Sequence, residues 1–185
     1  MVFCPNWSRR LLLRPGDDAA KSAGRNRARG HVLPGRSAVG SVKRLEIRRR
    51  SRPGADAGYW TALFSPRDQL HLKAVAVSES MGVAEVVASE MVLVEVSNSF
   101  SNARPALRDS AASLVETLRE DPFVRIIPQT FEQFESALQL YRQATDKSWS
   151  LTDCASFNIM EDEHIRAALT HDRRFAQAGY EALLR

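Results

Sequence analysis

The chain has 185 residues, 44% of them hydrophobic and 26% charged, with a net charge of +4 and a pI near 9.4. That length gives one domain with material left over, and the two cysteines, Cys4 and Cys154, make neither a disulfide framework nor zinc-ligand spacing. Nothing spans a membrane: Leu11–Leu13 falls far short of a signal-peptide core of ~7–15 apolar residues, and Glu90 and Glu95 interrupt the apolar run 86–96.

The charge is split along the chain. Residues 1–55 hold 14 Lys and Arg against Asp17, Asp18 and Glu46, a net +11, whereas residues 56–185 hold 12 against 19, a net −7. A basic extension thus precedes an acidic domain. The extension is Gly, Ala, Ser, Pro and Arg, too poor in large apolar side chains to offset the entropy of ordering it, and disorder is expected. Three readings of it stay open. It is an arm for nucleic-acid phosphates, an organelle transit segment, or an upstream extension with no selected role. The cysteine usage fits a reducing, cytoplasmic compartment.

From residue 56 the elements follow in order. Leu70, Ala74, Val77 and Met81 recur at helical spacing and predict a helix over 67–81. The β-branched run 85–88 predicts a strand. Residues 89–100 alternate like a strand, yet Ser89 can cap a helix whose one side carries Met91, Val92, Val96 and Phe100; helix is preferred. Pro105 opens a helix over 105–120. A strand over 123–128 ends at Pro128. Thr130 caps a helix over 130–146, a short helix covers 150–160, a strand covers 165–170, residues 172–179 turn, and 180–184 close the chain as a last strand. Strands alternating with helices predict a parallel sheet covered on both faces.

Ligands in such sheets bind beyond the carboxyl ends of the strands, which directs attention to four acids. Asp172 follows the strand 165–170 by two residues. Asp153 opens the helix before it, Glu95 is embedded in the apolar MVLVEVS, and Asp56 precedes an apolar run. Each alone has a plainer explanation. Ser150 and Asp153 match a capping box, Asp172 and Asp56 suit turns, and Glu95 suits the wet side of a helix. Cys154 reads as a small buried residue, His71 and His164 as packing or surface residues, and Trp60 and Trp149 as core or rim packing. His171 is a weak candidate for substrate contact.

Taken together, the pattern resembles the PIN-domain nucleases, most closely the toxin-like members of the VapC type. The resemblance covers residues 56–185. Its strongest part is WSLTDCASFNIMEDEHIRAALTHDRRFAQAGYEALLR, with an acid on a short helix, a strand, a T-x-D signature and an F-x-x-A-G-Y-type ending; VLVEVSN and DAGYWTALFSPRDQLHLKA match earlier segments. The resemblance implies a three-layer α/β/α sandwich around a central, mainly parallel sheet. It also implies that Asp56, Glu95, Asp153 and Asp172 converge to hold Mg²⁺ or Mn²⁺. Hard oxygen donors suit those ions. Two carboxylates ~5 Å apart repel by roughly 3 kcal/mol at an effective dielectric of ~20, so a cluster of four calls for a cation. In the implied activity, an endoribonuclease would hydrolyse RNA phosphodiesters with metal-activated water. Thr170 would hydrogen-bond a carboxylate or bound water; Arg173 and Arg174 would touch the RNA backbone or simply face solvent. The implied partners are an RNA substrate and a cognate antitoxin protein, with a homodimer also allowed.

The chain departs from that family at one place. Members usually begin with an apolar strand running into the first acid, but here RRRSRPG (48–54) stands there. It is charged, and Pro53 lacks a ladder donor, so it is not expected to form a central strand. Ala57 also stands where a hydroxyl is common. This departure supports a rival reading, a catalytically impaired PIN-like module that binds RNA or protein without cutting.

Overall fold

Side chains along the strands alternate between two apolar clusters, and that alternation organises the molecule. The computed structural model describes residues 52–82 and 84–185. Nearly all of the basic extension, residues 1–51, lies outside them, together with the expectation of disorder placed on it. Val86, Ala88 and Leu169 face one cluster, and Val87 and Ala168 face the other.

Five strands form the sheet: β1 (Gly54–Ala55), β2 (Val86–Ser89), β3 (Val124–Ile127), β4 (Ala167–Leu169) and β5 (Glu181–Ala182). Their order is β3-β2-β1-β4-β5, and every pairing is parallel. On one face pack α1 (Ala57–Phe64), α2 (His71–Met81), α3 (Glu90–Ser99) and α4 (Pro105–Glu120), through Trp60, Ala74, Val92, Val96, Leu114 and Leu118. On the other face pack α6 (Leu151–Asp162) and α7 (Arg173–Gln177), through Phe157, Met160 and Phe175. Helix α5 (Phe131–Gln143) lies against α6, with Ala137 on Cys154 and Ala155. The result is the three-layer α/β/α sandwich around a parallel sheet.

Local chemistry explains most boundaries. Ser89, Thr130 and Ser150 each accept a backbone N–H at a helix start, and the latter two complete capping boxes with Gln133 and Asp153. The ambiguous segment after Ser89 is therefore helix, because the cap holds and Val92, Leu93 and Val96 bury one face. Two expectations are corrected. The predicted turn after Asp172 is helix α7, started by the Asp172 carboxylate on the Arg174 N–H at 2.9 Å. The stretch ending at Gly54 does supply a central strand, only two residues long. Pro53 needs no ladder donor because it contributes its carbonyl, which accepts from Val87 at 3.0 Å. Gly54 lets the strand approach α6 closely: a Cβ would stand 2.8 Å from the Met160 sulfur and oblige that side chain to move.

Candidate active site

The chain leaves β1 toward β2 on one side and returns to β4 on the other, so the strand order switches at β1, where open parallel sheets form a crevice. Asp56 sits at the C-terminal end of β1 and caps α1, its Oδ1 accepting the Ala57 N–H at 2.7 Å. Asp172 sits just beyond β4. Ser89, at the end of β2, starts the helix that carries Glu95 to the same end of the sheet. Asp153, at the third position of α6, completes the set.

Thr170, fully buried, ties two of the acids together. Its hydroxyl donates to Asp56 Oδ2 at 2.9 Å and accepts the Asp172 N–H at 3.0 Å. Asp153 is 6% exposed, and its Oδ2 accepts the Ser150 N–H at 2.7 Å while its own N–H bonds the Ser150 hydroxyl at 3.0 Å. The same Oδ2 receives Arg174 Nη1 at 3.0 Å, and that nitrogen also stands 3.4 Å from Asp172 Oδ2.

Electrostatics confirms that the acids share one space. Burial pushes the Asp56 carboxyl above its ordinary value, and the charges of Asp153 and Asp172 push it further, against the hydrogen bonds from Thr170 and Ala57. Burial likewise raises Glu95, opposed by a hydrogen bond from Thr152 and reinforced by Asp56 and Asp153. Arg174 moves the other way in effect. Desolvation favours its neutral form, yet Asp153, Asp172 and Asp56 together hold the guanidinium more firmly charged than usual.

All four predicted acids, with Thr170, are therefore brought to one place. A cleft of about 330 Å³ lies beside them, its lining including Gly58, Thr61, Glu95, Asn98, Ser99 and His171. Of the other residues singled out, Cys154 and Trp60 are fully buried, and His71 bonds the Ala62 carbonyl through Nδ1 at 2.7 Å. His164 is an exposed turn residue with φ of 54°.

Two residues have roles the sequence reading did not assign. Arg174, expected to touch RNA or face solvent, lies on Asp153 and Asp172. Thr152, directly before Asp153, favours the Glu95 anion. A hydroxyl beside an acid was the only signal for the second, and nothing in the sequence paired the first with the acids.

The donor chemistry suits a hard divalent cation: four carboxylates, all oxygen, two of them disfavoured as anions where they stand. Among the described residues, as they stand, no group of three or more His, Cys, Asp or Glu side chains is placed to hold a metal ion. The cationic group between Asp153 and Asp172 is instead Arg174.

Comparison with known proteins bears on the family and the fold. A family model described as PIN domain matches residues 55–180. Among solved structures, the toxin VapC20 of Mycobacterium tuberculosis, described as cleaving the sarcin–ricin loop, superposes with a TM-score of 0.62 at 24% identity. The match covers 69% of this chain and 95% of that one. No curated protein matches the sequence.

Proposed function

The chain belongs to the PIN-domain family, and from that premise we propose that it is a divalent-metal-dependent endoribonuclease, the toxin of a toxin–antitoxin pair. One observation carries the reading: Asp56, Glu95, Asp153 and Asp172 come from four separate segments and meet at the switch point of the sheet. The cofactor is Mg²⁺ or Mn²⁺, held by those four carboxylates. When bound, it would supply a Lewis acid that makes water a nucleophile near neutral pH and offsets the charge developing on the phosphate.

The chain's own residues do the positioning. Thr170 fixes the Asp56 carboxylate and, through the Asp172 N–H, the start of α7. The Ser150 capping box fixes Asp153, whose negative charge the N-terminus of α6 favours. Thr152 steadies Glu95. The neighbouring cleft, walled by Asn98, Ser99 and Thr61, offers hydrogen-bonding groups to a nucleotide beside the scissile bond.

Two further parts of the reading concern the whole chain: a basic extension, residues 1–55, ahead of a PIN-like domain, 56–185, and a cytoplasmic protein that binds a cognate antitoxin. No helix among the described residues is long and apolar enough to cross a membrane. The rival reading as a non-cutting module rested on the stretch before Asp56. The formed strand β1 and the hydrogen bond from Thr170 favour the enzyme.

The deciding experiment is incubation of purified protein with mixed structured RNA and Mn²⁺. Cleavage is expected, and both EDTA and Asp153→Asn are expected to abolish it. A folded wild-type protein that leaves the RNA intact would overturn the enzyme reading in favour of the binding module.

A further inference from the structure

Arg174 is the one residue of the site whose charge opposes the chemistry assigned to it. A single nitrogen, Nη1, faces Asp153 Oδ2 at 3.0 Å and Asp172 Oδ2 at 3.4 Å. A point between oxygens of two carboxylates is where a shared cation would sit. We propose that Arg174 is the resident counter-cation of the metal-free site, bridging Asp153 and Asp172, and that its side chain swings out when a divalent cation takes that place. This inference rests on the metal-dependent reading above.

Three features make the exchange feasible. First, neither carboxylate needs the guanidinium to stay in position. The Ser150 N–H holds Asp153 Oδ2 at 2.7 Å, and the Arg174 N–H holds Asp172 Oδ1 at 2.9 Å. Second, the two partners differ in access to water. The Arg174 side chain is 38% exposed and can be hydrated on leaving, whereas that of Asp153 is 7% exposed and cannot. Third, the backbone is pinned, since Arg174 lies in α7 and the next residue, Phe175, is buried in the core. Movement is thus confined to the side chain, whose rotamers change without disturbing α7.

The bridge is also one-sided. Among the described residues no guanidinium hydrogen-bonds Asp56 or Glu95; Thr170 and Ala57 donate to Asp56, and Thr152 favours the Glu95 anion. Half of the donor set thus feels Arg174 only through its charge, while the other half is in direct contact with it. Once displaced, a planar guanidinium at the mouth of the site is suited to grip an RNA phosphate. The same side chain would then serve the acids before loading and the substrate after it.

The test is Mn²⁺ binding, measured by calorimetry on wild type, Arg174→Gln, Arg174→Lys and, as a control, Arg173→Gln, with the melting temperature of each metal-free protein. Arg174→Gln is expected to bind Mn²⁺ about tenfold tighter than wild type, the scale of one charge-assisted bond no longer competing. It should also melt lower when metal-free and gain more on adding Mn²⁺. Arg174→Lys, which keeps the charge without the fork, should fall between, and Arg173→Gln should match wild type. Binding by Arg174→Gln that is equal to or weaker than wild type overturns the inference alone. No binding by any variant overturns the metal-dependent reading with it. Binding by Arg174→Gln where wild type binds none would support the inference in its strongest form.

Discussion

The two ends of the sheet handle charge in opposite ways. At the N-terminal end, Arg52 reaches Glu85 and Glu163 at 3.3 Å each, and Arg125 grips Glu163 with two nitrogens at 3.0 and 2.6 Å. The hydrogen bond from Arg125 holds the Glu163 carboxyl below its ordinary value. At the C-terminal end, four carboxylates face the single guanidinium of Arg174, and Asp56 and Glu95 are pushed up instead. Charge is matched at one end and left in surplus at the other. Unmatched charge at the C-terminal end is what the proposed metal-binding function calls for: a site meant to accept a cation is not optimally neutralised without one.

The largest expected effect that breaks this contrast is on catalysis. Asp56→Asn should lower RNA cleavage by more than about 100-fold, beyond the 10–100-fold typical of an outer partner, as read by initial rates. Thr170→Val should cost about 10–100-fold through that outer role. It should also cost about 1–3 kcal/mol in urea denaturation, because the Asp172 N–H loses its acceptor and Asp56 its donor.

Stability should then separate the acids by sign. In EDTA at neutral pH, Asp153→Asn should destabilise by about 1–2 kcal/mol, since the charged bond to Arg174 is lost. Asp56→Asn should instead raise the melting temperature by about 4 °C. The sign follows from linkage. A carboxyl raised on folding binds more protons in the native state, so stability falls as pH rises from its unfolded value of 3.8 toward the raised native one. The gain from Asp56→Asn should therefore be present above the raised value and vanish below the unfolded one. At the matched end, Glu163→Gln should cost under about 1 kcal/mol, because Arg125 is 41% exposed and its pairing is screened by water.

Asp172 stood out just after a strand and Glu95 within an apolar run, whereas Asp153 and Asp56 read singly as a cap and a turn, and only the family pattern tied the four together. The capping residues Ser89, Thr130 and Ser150 were legible because their chemistry is local. Strand β1 was not. Two small residues give no β signal, and only the neighbours on both sides, β2 and β4, make them a strand. Helix α7 was missed because five residues are too few to show a period; its start depends on the Asp172 cap and its anchor on Phe175. The pairing of Arg174 with the acids was not legible for a related reason: its partner Asp153 is 21 residues away in sequence, and no local pattern links them.

The hydrogen bond from Thr170 to Asp56 joins residues 114 apart, and β1 is flanked by strands that come from opposite ends of the domain. On the ribosome, Asp56 is made first and waits for its hydroxyl partner until residue 170 has emerged. Contacts this remote in sequence form late, after the long loop between them has been closed. A nascent or truncated chain thus holds the first acid without the frame that aims it.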